Sequence, residues 1–380
     1  MARRRSARTN VYDRAEWSGS CGDLGTLIPF LLGYITIVGI DAQAVLLSFG
    51  GAAIATGLYF KTPMPVQPMK AIATAAIAQP TTITFGMVWM STVLTALLWL
   101  MLGLSGAVGV IATLTRKPVV RGLSLGLGLT FIVEGARLMK EAPVLAAIGL
   151  AVTLLLLAQP KVPAMIVLLL YGVTVAFWLD PKLAADVFSI RPAFRLPAPG
   201  WPSLSLGDVA TAVVVLVLPQ AALTVGNAVI ATAEEHNRLF PERPVTVREL
   251  AFDHAALNAF AAAVGGVPMC RGAGGMAGHV RFGARTGGSL VILGTILLIA
   301  ALFFSESATT LFRLFPPAVL GVILLLGGLE LAGTKGSEQF EGWERVVMVL
   351  TAGLSLVNVG VGYGVGIILY YACARGWVRF

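Results

Sequence analysis

Long apolar runs fill this sequence, and short polar segments separate them. The runs fall at about 21–40, 42–60, 63–79, 82–104, 118–138, 143–159 and 162–179, then at about 206–233, 246–265, 267–280, 287–304, 309–332, 343–360 and 361–375. A helix needs about 20 predominantly apolar residues to cross the hydrocarbon of a bilayer. The pattern therefore predicts an all-α membrane protein of about fourteen transmembrane spans. An even number of spans puts both termini on one side.

Segment 181–204 breaks the pattern. It carries Pro181, Pro192, Pro197, Pro199 and Pro202 together with charged residues. It reads as an extracytoplasmic linker between a first seven-span repeat, residues 1–180, and a second, residues 205–380. The two halves echo each other. Asp23, Thr26 and Pro29 lie in the first span of the first half, and Pro219, Gln220, Thr224 and Asn227 in the first span of the second. Two spans later comes Pro63-Met64-Pro65-Val66-Gln67-Pro68-Met69-Lys70, answered by Gly265-Gly266-Val267-Pro268-Met269-Cys270-Arg271-Gly272. Both features recur at an offset of about 200 residues, the weak internal symmetry expected of transporters. Seven is odd, so the second copy enters the bilayer from the opposite face, and the 7+7 repeat is inverted.

The interrupted spans carry the candidate chemistry. Proline lacks an amide donor and disfavours helix in the residue before it. Pro63, Pro65 and Pro68 force an extended segment through about residue 67, with a half-helix starting near Pro68, since proline suits a first turn. An extended stretch is expected likewise at Gly266–Cys270, with a half-helix starting near Arg271–Gly274. Non-helical backbone at membrane depth survives where protein or a watery cavity satisfies it. Such breaks also occur as plain kinks. Two at matching repeat positions, each with a basic residue at the helix start, favour a site. Each half-helix N-terminus presents free amides and roughly half a positive elementary charge. Pro68, Met69, Lys70, Cys270, Arg271, Gly272, Ala273 and Gly274 thus frame an expected anion site. Lys70 and Arg271 would raise its positive potential, and a tetrahedral dianion would suit it.

Other polar residues at membrane depth extend the candidate set. Gln220, Thr224 and Asn227 are spaced by four and three, hence on one helix face. They suit oxyanion recognition or interhelical hydrogen bonding. Thr26 and Gln67 are similar candidates. Asp23 needs a partner or water: a salt bridge with Lys70 or Arg271, or a helix cap near the interface. Asp23 and Glu330 are the candidates for carrying a coupling ion, with uniport as the alternative. Within Gly272–Gly278, Gly278 is expected to serve helix packing, and Gly272 and Gly274 close approach of backbone to the anion. The stretch lacks the strand–helix context of a dinucleotide site, and Gly328–Lys335 falls short of a phosphate-binding loop.

Composition narrows the field. Apolar residues make up 57% and charged residues 12% of the chain, where a soluble domain carries about 25% charge. Mean hydropathy is +0.85. The net charge of +8 does not mark a nucleic-acid binder. The basic residues cluster between apolar runs, as cytoplasmic loops do: Arg3, Arg4, Arg5 and Arg8; Arg116, Lys117 and Arg121; Arg281 and Arg285; Arg375 and Arg379. These clusters place both termini in the cytoplasm, and a bacterial cytoplasmic membrane is the expected location. Cys21, Cys270 and Cys373 fit no disulfide framework, and His236, His254 and His279 have no metal-binding spacing. No cofactor or metal is expected. An enzyme lacks support, because no nucleophile–base pair falls within a polar span. The start of the chain does not read as a cleaved signal peptide.

The stretches Gly22-Asp23-Leu24-Gly25-Thr26, Pro63–Lys70, Leu218-Pro219-Gln220, Gly272-Ala273-Gly274-Gly275 and Arg281-Phe282-Gly283 resemble the MOT-type molybdate transporters, a family related to the SulP sulfate permeases. The resemblance runs from about residue 16 to 333. It implies the seven-plus-seven inverted fold shared with SulP and uracil permease proteins. A core domain would hold spans 1–4 and 8–11, and a gate domain spans 5–7 and 12–14. Substrate would sit between the third and tenth spans, and transport would proceed by movement of core against gate. The expected cargo is molybdate, with sulfate or tungstate, or an anion channel on the same fold, as alternatives. A homodimer in lipid is expected by the same analogy. The resemblance implies a histidine where this chain has Arg271, a fixed charge that would favour a dianion and reduce pH sensitivity. SulP proteins commonly end in a STAS domain, which this chain is expected to lack. They often couple to protons through an acidic residue in the eighth span, where this chain has Gln220.

Overall fold

Helices occupy nearly every apolar run, and the breaks between them fall at proline, glycine and charged residues. The computed structural model describes residues 9–157, 162, 164–198, 200–333, 340 and 342–378, and of residues 74, 78, 222, 330, 331 and 359 the backbone alone. Arg3, Arg4, Arg5, Arg8, Pro199, Lys335, Arg379 and the side chain of Glu330 lie outside the described residues.

The first half opens with α1 (Arg14–Ser20), capped by the Asp13 carboxylate, and α2 (Leu24–Thr36), which contains Pro29. The expected first span is therefore split around residues 21–23. Next come α3 (Ala42–Phe60), the two-residue strand β1 (Gln67–Pro68) and the half-helix α4 (Lys70–Ala78). They are followed by α5 (Phe85–Ser105), α6 (Ala107–Leu114), α7 (Lys117–Met139), α8 (Pro143–Leu157) and α9 (Ala164–Leu179). The expected linker is not wholly irregular. It begins with α10 (Pro181–Ser189), which turns by 110° from α9 with Pro181 at its first turn, where proline is tolerated.

In the second half α11 (Leu206–Thr211), α12 (Leu218–Leu223) and α13 (Thr232–Leu239) run on through two π-helical stretches, Ala212–Val217 and Thr224–Ala231. Then come α14 (Val247–Ala263), the strand β2 (Met269–Cys270), the half-helix α15 (Ala273–Arg281) and α16 (Gly288–Phe303). The chain ends with α17 (Ala308–Phe312), α18 (Pro317–Ala332), α19 (Gly342–Val357) and α20 (Val359–Ala374).

Among the described residues, α3, α5 and α7 are long and apolar enough to cross a bilayer by themselves, and three bent helix pairs bring the number to six. The main helix pairs are α7 with α18, α3 with α16, α7 with α19, and α5 with α14. Two of these are backbone-to-backbone. A Cβ on Gly128 would lie 2.8 Å from the Gly328 carbonyl oxygen, and one on Gly135 2.7 Å from that of Gly321. Gly50 faces Gly294, and Gly57 faces Gly287, in the same way along α3 and α16. Lipid tails are as apolar as leucine, so such helices associate by close packing rather than by hydrophobic exclusion, and small residues permit it.

Candidate functional site

Pro63, Pro65 and Pro68 keep the chain after α3 extended; after α14, Gly265 turns the chain with a left-handed φ of 72°, and Gly266 and Pro268 lead it into β2. The two extended pieces meet. β1 and β2 pair antiparallel, with Gln67 opposite Cys270 and Pro68 opposite Met269. The Met69 amide donates to the Pro268 carbonyl at 3.0 Å. Pairing satisfies backbone groups that a bilayer interior would otherwise leave bare. A half-helix of nine residues leaves each strand, α4 from β1 and α15 from β2, and neither Met69 nor Gly272 caps it with a side chain. The half-helices start at Lys70 and Ala273, two residues beyond Pro68 in the first case and within the expected range in the second.

Phe131 on α7 lies against both half-helix starts. The Lys70 Nζ stands 4.3 Å from its ring centroid. A Cβ on Gly274 would fall 2.5 Å from the same ring. Glycine at 274 thus makes room for Phe131, an aromatic residue that sequence reasoning missed because nothing in its run sets it apart. A small cavity of about 10 Å³ adjoins this point, lined by Gly22, Asp23, Thr26, Phe131, Gly274 and Gly327 among others.

Asp23 is buried, with 5% exposure. Its carboxylate accepts both contacts of the Gln67 Nε2, at 2.9 and 2.8 Å, and a bond from the Thr26 hydroxyl. Gln67 Nε2 also donates to Thr26 Oγ1 at 3.2 Å. Among the described residues no ion pair joins Asp23 to Lys70 or Arg271; Asp23 does stand at the N-cap position of α2, but its side chain makes no cap bond there. Neutral donors hold it instead. Asp23, Thr26 and Gln67 therefore form one cluster at the start of α2 and the end of β1. Glycines fit tightly around it. A Cβ on Gly272 would lie 2.0 Å from Gln67 Oε1, and one on Gly275 2.4 Å from Gln67 Nε2 and 2.5 Å from Asp23 Oδ2. Gly278 packs on the Gly22 carbonyl at 2.3 Å by the same measure, the packing role expected of it.

Gln220 reaches the site from α12. Its Oε1 accepts from the Ala71 amide at 2.8 Å, so it closes part of the first turn of α4. Its Nε2 donates to Thr224 Oγ1 at 2.9 Å, and that hydroxyl donates to the Gln220 carbonyl at 2.8 Å. Asn227 is buried, and among the described residues no donor reaches its Oδ1. The π-helical stretch begins at Thr224, so the α-helical face on which the three residues were expected to align does not continue through Asn227.

Arg271 departs most from expectation. Its guanidinium is fully buried and its Nε and Nη2 donate to the two carboxylate oxygens of Asp253 at 2.7 and 2.6 Å. Its charge is matched within the protein by Asp253. Cys270 is buried with its Sγ 3.6 Å from the Pro68 carbonyl, and Met69 and Ala273 are fully buried core residues. Pro68 contributes its backbone to the crossing. Glu330 lies on α18, and its side chain is outside the described residues. No group of three or more histidine, cysteine, aspartate or glutamate side chains suited to a metal ion occurs among the described residues.

Comparison with known proteins adds a family. The chain is 29% identical to Molybdate transporter 2 of Arabidopsis thaliana over 94% of its own length and 86% of that protein's. It is 28% identical to Molybdate transporter 1 of the same plant, over 98% and 91%. Its fold is that of murine Solute Carrier 26 family member A9, an anion transporter solved in the inward-facing state. The TM-score is 0.61 at 14% identity, over 98% of this chain and 70% of that one. With this fold and several helices apolar enough to cross a bilayer, it is a multi-pass membrane protein. The model of the family described as "Molybdate transporter of MFS superfamily" matches residues 15–131 and 212–331, which hold both half-helices and more than half of the sequence, and the chain belongs to that family.

Proposed function

We propose that this protein is a secondary transporter of a tetrahedral oxyanion, molybdate in the first place, which it binds between the N-termini of α4 and α15 and moves by alternating access. One observation carries the reading: β1 and β2 pair antiparallel, so two half-helices whose N-cap residues Met69 and Gly272 offer no side-chain cap begin at the two ends of one crossing, with Lys70 and Gly274 both against Phe131. Each helix end contributes roughly half a positive charge and first-turn amides, of which that of Ala71 is taken by Gln220, and a dianion offers oxygens to both ends. Membership of the molybdate transporter family agrees with this chemistry.

The fourteen-span inverted repeat is supported by the way helices exchange partners. If α3 and α14 are the second spans of the two repeats, and α5 and α16 the fourth, then α3 with α16 and α14 with α5 are the same contact made twice. The fifth spans, α7 and α18, would pair with each other, as they do. On this reading spans 1–4 and 8–11 form the core and spans 5–7 and 12–14 the gate. The cavity beside Asp23 lies between them, walled by α2 and α15 on one side and α7 and α18 on the other. Both termini face the cytoplasm.

Asp23 is the coupling residue in this scheme. Lys70 supplies one positive charge, Arg271 is neutralised by Asp253, and an ionised Asp23 opposes the anion. A proton on Asp23 removes that opposition. Uptake of labelled molybdate into proteoliposomes tests the reading, with sulfate, tungstate and uracil as competitors. Saturable uptake against a gradient, competed by tungstate and not by uracil, is expected. Uracil competition without oxyanion competition, or a passive voltage-driven current, defeats it.

A further inference from the structure

Arg271 stands just before the second half-helix, and its guanidinium is bonded within the protein. Besides its two bonds to Asp253, its Nη1 donates to the Pro65 carbonyl at 2.9 Å and its Nη2 to Thr56 Oγ1 at 2.9 Å. Its guanidinium carbon lies 5.5 Å from the centre of the Phe60 ring. Four of the five guanidinium N–H groups are thus engaged. One planar group ties α14 through Asp253, α3 through Thr56, and the extended segment before β1 through Pro65 to the β2–α15 junction. Further along α14, the Asn258 amide takes both backbone groups of Met269: its Oδ1 accepts from the amide at 2.9 Å and its Nδ2 donates to the carbonyl at 2.8 Å. α14 therefore holds the β2 segment with two side chains, and through Arg271 it also holds the approach to β1.

We propose that Asp253 is a positioning residue for transport. Its ion pair with Arg271 fixes the crossing of β1 and β2, and so the spacing and aim of the two half-helix N-termini. Arg271 acts as a brace rather than as a ligand of the anion. The inference rests on reading that crossing as the anion site. Asp253 was not a sequence candidate, because an acidic residue eighteen positions before Arg271 gives no sign of pairing with it until the chain folds back. A bidentate carboxylate–guanidinium pair is directional as well as strong, which suits a brace.

The two roles for Arg271 predict opposite signs when Asp253 loses its charge. Asp253→Asn leaves the Arg271 charge unopposed, which by Coulomb attraction alone tightens anion binding. A loosened brace weakens binding instead. Molybdate uptake by proteoliposomes, normalised to inserted protein, is measured for wild type, Asp253→Asn, Arg271→Lys and the two substitutions combined. Asp253→Asn and Arg271→Lys are each expected to raise KM about tenfold, the effect of displacing one charge-assisted donor. The combined variant should be no worse than about twofold beyond the poorer single variant, because residues of one network do not add. Arg271→Lys keeps the charge and loses the planar fork, so it decides the matter where Asp253→Asn does not insert. A lowered or unchanged KM in Asp253→Asn, an unchanged KM in Arg271→Lys, or multiplied effects in the combined variant overturns the brace. Wild-type uptake is the separate control: without it the transport reading itself fails.

Discussion

At the scale of single residues, the site is defined as much by missing atoms as by side chains. Gln67 fits between Asp23 and α15 only because positions 272 and 275 have no Cβ. Gly272→Ala would place a methyl group 2.0 Å from Gln67 Oε1, and Gln67 is held at its other end by Asp23. Overpacking a tight interior costs about 1–3 kcal/mol. Gly272→Ala should therefore lower the melting temperature in detergent and abolish molybdate uptake. Gly109→Ala in α6 is the control, since nothing lies within 4 Å of the added atom. It should leave uptake intact and stabilise by about 0.4–1 kcal/mol through the unfolded chain. Asp23 makes a second prediction. Wild-type uptake should quicken as external pH falls, because protonating Asp23 removes a negative charge beside the anion. In Asp23→Asn the charge is absent at every pH, and a flat profile of initial rate against pH is expected. A profile as steep as wild type would exclude Asp23 as the proton carrier.

At the scale of elements, the sequence marks the half-helices well and their partners poorly. Pro63, Pro65 and Pro68 act locally, through φ and a missing donor, so the extended approach to α4 is legible from three residues. The pairing of β1 with β2 is not, because it joins positions about 200 residues apart and no local preference selects Cys270 for Gln67. The same holds for Gln220. Its polar character at membrane depth marks it as a candidate, but its reach to the Ala71 amide depends on how α12 packs on α4. The π-helical stretch after it also carries no sequence mark that separates it from ordinary helix. Gln220 occupies a helix-start amide, so its replacement can be predicted with a sign. Gln220→Glu would set a carboxylate at the N-terminus of α4, where negative charge is favoured. It should compete with the anion and raise KM for molybdate well above tenfold, while Gln220→Ala should cost about 0.5–2 kcal/mol, as the loss of an N-cap does. Uptake kinetics and thermal melting of the two variants separate these effects.

At the scale of the whole molecule, the proposed mechanism has one group of helices move against the other, and the surfaces between them differ in how firmly they are joined. Within the proposed groups, α3 and α16 meet through bare backbone at Gly50, Gly57, Gly287 and Gly294, a contact that leaves little freedom to slide. Between the groups lies a cleft of about 380 Å³, where Ile28, Pro29 and Leu32 of α2 face Leu179, Phe312 and Phe315. Arg313 pairs there with Asp180 and Asp186; on the proposed division all three belong to the gate, so these ion pairs would brace the gate internally and not bolt it to the core. Apolar side chains across such a cleft can separate without breaking a charge pair, which suits a surface that opens and closes. Cysteines at positions 32 and 312, in a chain whose Cys21, Cys270 and Cys373 are replaced, should therefore be joined by a short thiol-specific cross-linker, and joining them should stop molybdate uptake with the bound anion or its site closed off from that side. A reducible linker should restore uptake on reduction. Full transport by the cross-linked protein would mean that α2 and α17 move as one body, and the division into core and gate would have to be redrawn around them.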